Sequence, residues 1–196
     1  NDNPHAVVAH DADFSPQTGD FTASCWVFQS DAHDDNYVFA KGGGGAAGWQ
    51  IRINTSRQIQ MGVEDAAGVL VAGLSASNSM PLGKWVHIVG VIDYGSTSKV
   101  YLNGEEIISS DISSVSGNIE LTSGGTSTLR MGSWLTSYAG GVMNGTATEW
   151  SVFKGVAFSA TEVHELYNDG KALDATTHSQ VANLKGYWRN DGLNTT

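Results

Sequence analysis

The chain has 196 residues, 40% of them hydrophobic and only 15% charged, with 24 glycines against 3 prolines. That length supports one sandwich-sized domain with a packed core, and the Gly-rich, helix-poor composition favours many short strands joined by turns. A net charge of −10 with no Lys/Arg cluster excludes the basic footprint of a nucleic-acid binder, disfavours anionic lipid, and suits neutral glycans or cations.

The first ten residues, NDNPHAVVAH, carry neither the basic nor the apolar region of a secretion signal, so the chain reads as already processed or excised. No apolar run reaches the roughly 18 residues of a membrane span, which predicts no membrane insertion. Strands are predicted at 5–10, 21–29, 36–42, 48–54, 58–65, 68–73, 85–93, 99–105, 127–134, 145–153 and 185–191, most with the period-two alternation of a half-buried strand. Turn clusters such as SPQTGD, DAHDD, GGGGAAG, DYGSTS and SGGTS separate them. Short strands without intervening helices predict an all-β antiparallel sandwich.

Particular residues take roles within these runs. Cys25, the sole cysteine, reads as a small core residue and permits no disulfide within the chain. In 85–93, Trp85, His87, Val89 and Val91 share one face, yet the other face is apolar too, which suits a strand covered on both sides. His87 is therefore expected to be packed and hydrogen-bonded, not catalytic. DYGSTS is the loop of a hairpin, and Asn103-Gly104 turns the chain out of the following strand. One helix is predicted, opened by a capping box of Ser159 and Glu162. Val163, Leu166 and Tyr167 lie on its apolar face, and Gly170 takes the left-handed position after its end.

Four segments stand in an informative order: GDFTASCWVF, KGGGGAAGWQIRIN, GKWVHIVGVIDYGSTSKVYLNGE, and LRMGSW followed by GTATEWSVFKGVAFSATEVHELYN. Together they resemble laminin-G-like domains of the concanavalin A-like lectin/glucanase jelly-roll superfamily. They are similar to that family's GDFTISAWV strand, the strand pair that follows it, its GKWHHVAVTYDG…VKLYVNGK hairpin and its closing GxIDEVRIYNRALSxxEIxxLY strand and helix. The resemblance runs from about residue 5 to 170 and implies a two-sheet antiparallel jelly roll with one short C-terminal helix. The tail segment NLKGYWRNDG resembles a GYWxxDEG strand that often opens such domains. Here it either supplies the missing strand in a permuted arrangement or starts another unit; residues 1–196 are read as a single domain. HSQVANLKGYWRNDG also resembles tails of jelly-roll modules in large bacteriophage or marine microbial surface proteins.

The resemblance sets tests for chemistry. Laminarinase-type hydrolases of this fold carry Glu-x-Asp-x-x-Glu on one strand, so that alternation aims the carboxylates into a cleft. That spacing is absent. Glu64-Asp65 and Glu105-Glu106 are adjacent pairs that face opposite ways, and Glu162 and Glu165 sit on the helix. No Gly-x-Ser-x-Gly elbow occurs, and no catalytic residue is assigned. The clusters HDAD (10–13) and DAHDD (31–35) lack zinc spacing and read as solvated loops. Calcium is the ion the family implies. The acids of a pentraxin-type site are missing from 42–48 and 133–141, which leaves Asp20 and Glu149 as candidate ligands of a structural calcium at the rim.

The two segments that lack acids carry aromatics instead. In the implied fold these loops meet at one end of the concave face. Trp49, Trp134, Tyr138, Arg52 and Asn54 are therefore candidate ligand-binding residues for a shallow glycan site, with the glycines of 42–45 admitting close backbone approach. Packing of Trp49 and Trp134 into the core is the competing reading; Trp26, Trp85, Trp150 and Trp188 are expected in the core or at sheet edges. The expected function is non-catalytic carbohydrate recognition, with a glycan or cell-surface partner, in a larger extracellular or virion-surface protein. A purely structural or assembly module, as in a phage tail or capsid decoration, is the alternative, and a glycoside hydrolase the remotest.

Overall fold

The computed structural model describes residues 5–31, 35–42, 47–120, 128–134 and 141–190. Among them the strands are β1 (Ala6–Val8), β2 (Phe21–Gln29), β3 (Asn36–Lys41), β4 (Gly48–Ile53), β5 (Ile59–Glu64), β6 (Leu70–Leu74), β7 (Trp85–Asp93), β8 (Thr97–Leu102), β9 (Glu105–Asp111), β10 (Leu129–Met131), β11 (Gly145–Lys154) and β12 (Leu184–Trp188); one α-helix, α1, spans Ala160–Tyr167. The strands form two six-stranded antiparallel sheets. The front sheet has the order β1-β10-β3-β4-β5-β6 and the back sheet β12-β11-β2-β7-β8-β9. This is the two-sheet sandwich the sequence predicts.

Alternation builds the core between the sheets. Phe21, Ala23, Cys25 and Val27 of β2 face Trp49, Ile51 and Ile53 of β4 and Ile59, Met61 and Val63 of β5 in one buried cluster. Gly90 falls on the inward side of β7, where a Cβ would stand 2.6 Å from Ile51 Cδ1. The gap in the apolar stripe of β7 is thus filled from the opposite sheet.

The back sheet is covered on its other side as well. Val89, Val91, Tyr101 and Phe153 point outward and meet Phe158, Val163, Leu166 and Ala175, which belong to α1 and its flanking segments. This explains why β7 is buried throughout except at its two ends. The capping box at Ser159 and Glu162 forms as predicted. Gly170 is left-handed (φ 84) past the end of α1 as predicted, but the left-handed residue that caps the helix itself is Asn168 (φ 49), two residues earlier. His178 then ties the tail to the helix: its Nε2 donates to the Glu162 carbonyl at 2.9 Å and its ring stacks on Phe158.

Asn103-Gly104 turns the chain out of β8 as predicted: both residues have positive φ (51 and 86) and form a two-residue hairpin turn, into an unpredicted strand, β9. β9 escaped the sequence reading because it is an edge strand rich in Glu and Ser, with few apolar positions to reveal its period. The predicted strand at 127–134 shortens to β10, after which Gly132 (φ 86) turns the chain. The tail strand β12 pairs with β11 and closes the edge of the back sheet.

Candidate functional site

The front sheet's outer face is built differently from the back sheet's. Along β4, Trp49, Ile51 and Ile53 turn inward, which sends Gln50 and Arg52 outward. Cross-strand register sets Arg52 opposite both Tyr37 and Gln60, Gln50 opposite Gly62, and Gly48 opposite Glu64. These residues line a groove of about 520 Å³ bordered by Trp134 at one side and by Leu70 and Ala72 of β6 at the other. Gly62 keeps its floor bare: a Cβ there would meet the Gln50 amide nitrogen at 3.0 Å.

Polar side chains are fixed within the groove. Arg52 Nη1 donates to Asp35 Oδ2 at 2.9 Å and to the Tyr37 hydroxyl at 3.4 Å, while Nε donates to Gln60 Oε1. The guanidinium carbon lies 5.9 Å from the Tyr37 ring centre. Trp134 stacks on the same ring, 5.2 Å between centroids and 14° between planes. Burial pushes the Tyr37 hydroxyl above its ordinary pKa, against the opposing pull of Arg52, so it stays protonated. Glu64 has no ion-pair partner among the described residues.

Of the five residues assigned to a ligand site, Arg52 and Trp134 meet in this groove. Trp49 borders it in register, but its side chain belongs to the core. The residue is 1% exposed, its ring packs on Phe21 and Phe39, and its indole N–H donates to the Phe14 carbonyl at 3.0 Å. Its ring is therefore withheld from a ligand, and alternation alone sets Trp49 and Arg52 on opposite faces. Asn54 is occupied in the β4–β5 turn, where its Oδ1 accepts from the Ser56 and Gln58 amides. Tyr138 and the glycines at 43–45 lie outside the described residues. Sequence reading missed Asp35, Tyr37, Gln50, Gln60 and Glu64. The signal that finds them is the alternation that puts Gln50 beside Arg52, extended across the strand pairs.

The candidate metal ligands are not brought together. Asp20 ends the loop before β2, and its Oδ1 accepts from the Tyr94 amide at 3.0 Å. Glu149 sits in the β11 bulge, at φ 54, and accepts from the Tyr187 hydroxyl and from Arg189 Nε. Among the described residues no group of three or more His, Cys, Asp or Glu is placed to hold a metal ion.

The other titratable residues have structural partners. HDAD is not a free loop: His10 Nδ1 lies 3.3 Å from Lys41 Nζ, Asp13 pairs with Lys154, and Asp11 caps a short turn. Lys41 and Glu120 form a fully buried pair at 3.3 Å, and burial lowers the Lys41 pKa while Glu120 raises it. In DAHDD, Asp31 accepts from Asn144 and Asp35 pairs with Arg52; 32–34 lie outside the described residues. His87 is packed as expected, between Trp26 and Tyr167, but its Nδ1 has no hydrogen-bond partner among the described residues. Burial pushes its pKa down to about 3, so the ring is neutral.

Comparisons with known proteins follow this architecture. No curated protein matches the chain. Among solved structures, the binding domain of Paraclostridial Mosquitocidal Protein 1 superposes with a TM-score of 0.68 at 19% identity, over 87% of this chain and 42% of that one. The binding domains of botulinum neurotoxin serotypes G and D superpose with TM-scores of 0.66 and 0.67, at 16% and 15% identity, over 85% and 87% of this chain and 40% and 41% of theirs. The chain thus spans about two fifths of each of these domains, and at such identities the likeness is one of fold. A laminin-G-type family model, described as the concanavalin A-like lectin/glucanases superfamily, matches residues 1–164. With the two-sheet topology, that match over most of its length makes this chain a member of the concanavalin A-like lectin/glucanase superfamily.

Proposed function

We propose that this chain is a non-catalytic carbohydrate-recognition module of an extracellular or virion-surface protein, and that it holds a short glycan in the front-sheet groove. The observation that carries this reading is the joint placement of an indole, a clamped guanidinium and two amide side chains around one groove on the outer face of the front sheet. Aromatic rings stack on the apolar faces of sugars, and planar amides and guanidinium donors match their hydroxyls. Solved relatives of the fold are described as binding domains, which supports recognition over catalysis.

Carboxylate spacing supports the same choice. Gln60 and Glu64 face the same way four residues apart on β5, so their Cα atoms are about 13 Å apart. Asp35 lies beyond Arg52, at the Gln60 end, and is paired there. The two groove carboxylates therefore stand at opposite ends rather than at the roughly 5–10 Å spacing of a glycosidase pair.

A glycan array probed with the chain, followed by calorimetry, tests the proposal. The wild type should bind a defined set of oligosaccharides, and Trp134→Ala and Gln60→Ala should lose that binding while retaining a cooperative melt. A blank array overturns it. An assembly module is the second reading, favoured by Leu70 and Leu74, which are 57% and 49% exposed on the edge strand β6. Sedimentation that gives a Leu74→Lys-sensitive oligomer would support it.

A further inference from the structure

From the way Arg52 is bound, we infer that the groove selects uncharged oligosaccharides and rejects anionic ones, an inference that rests on the glycan reading above. An arginine in a sugar site is ordinarily the group that clamps a carboxylate or sulfate, because its planar fork offers two parallel N–H donors. Arg52 has two such forks, and each has lost a member. The fork made by Nε and Nη2 gives Nε to Gln60, and the fork made by Nη1 and Nη2 gives Nη1 to Asp35. Nη2 is left to donate singly, which suits a hydroxyl and not a bidentate anion.

Charge points the same way. Asp35, with its carboxylate 2.9 Å from Nη1, offsets the arginine's charge where a ligand would meet it. At the other end of the bare floor, Glu64 faces the groove with no ion-pair partner among the described residues. The groove is thus net negative, on a chain whose formal charge is −10. An acidic sugar would meet an arginine with no free fork and an uncompensated carboxylate, which is discrimination by repulsion as much as by attraction. A neutral sugar meets single donors, amide groups and a carboxylate acceptor, the set that hydroxyls require.

The test is a matched array in which each neutral oligosaccharide is paired with a sialylated, sulfated or uronic-acid counterpart of the same backbone. It is read at low ionic strength, where charge effects are least screened. Wild type should bind the neutral member of each pair. Asp35→Asn keeps an acceptor for Nη1 but removes the offsetting charge, and Glu64→Gln keeps an acceptor but removes the repulsion. Each should raise the anionic-to-neutral binding ratio by about fivefold, the order expected for one unit charge near contact. Melting curves confirm that both variants are folded. Wild-type preference for the anionic members, or a ratio that neither variant moves, overturns the inference and leaves glycan binding standing. A blank array for wild type removes the glycan reading itself.

Discussion

The two sheets of the sandwich turn their outer faces to different surroundings. On the back sheet, Val89, Val91, Tyr101 and Phe153 point outward and are sealed by α1 and its flanking segments. On the front sheet, the outward positions hold Gln50, Arg52, Gln60 and Glu64, with glycine between them at 62, and they line a groove in which Gln60 and Glu64 are only 8% and 9% exposed. Both sheets share one core, so burial between them explains the fold and does not distinguish the faces. What separates them is the identity of the outward residues: apolar where α1 docks, polar and planar around the groove.

The sharpest way to break this contrast is to cut the sealed face. Phe153 is fully buried against Phe158 and His178, so Phe153→Ala should cost about 3–5 kcal/mol in a denaturant titration. A loss under about 1 kcal/mol would mean that the helix layer contributes little. The sealed face should also respond to acid through His87. Burial holds its folded pKa near 3, while the unfolded chain takes up a proton below about 6.5. The unfolded state therefore binds more protons between those values, and stability should fall as pH drops through that window, by about 1.4 kcal/mol per unit. His87→Gln should flatten the slope, and the difference between variant and wild type from pH 6.5 to 4.5 isolates the ring.

Smaller effects sharpen the comparison. Ser159→Ala removes the cap of the covering helix and should lower stability by about 1 kcal/mol, with no effect on the groove. Least of all in stability is Gln50→Ala, in the groove, which should stay within about 0.5 kcal/mol of wild type. Its glycan affinity should nonetheless fall about tenfold, the loss of one or two hydrogen bonds, by calorimetry. A large stability loss there would make the outer face a packing surface.

Much of this was legible in the residues. Alternation located most strands, the Ser159/Glu162 box located the helix, and the four ordered motifs named the fold. β9 was not legible, because an edge strand pairs along one side only and can afford Glu and Ser where a central strand cannot. The site was half legible. Arg52 and Trp134 stood out as residue types, yet Trp49 was grouped with them by proximity in sequence although the pleat places it on the other face. Gln50, Gln60 and Glu64 are ordinary residues singly. They become a site only through the register of β4 on β5, which no local pattern prints.

The pairing of β2 with β11 bears on how the chain reaches this state. Ser24 and Ser151 share a buried hydrogen bond across that pair from positions 127 residues apart. During synthesis β2 is made early, and its partner on this side emerges only after most of the sandwich has been translated. The hairpins β3–β4–β5 and β7–β8–β9 close over short loops and can form first. Until β11 arrives, one edge of β2 stays bare along FTASCWVFQ, an apolar run of high strand propensity. The long sequence separation of this pair makes the docking of β11 the expected slow, aggregation-exposed step of folding, so solubility during expression should depend on that edge more than on any residue of the groove.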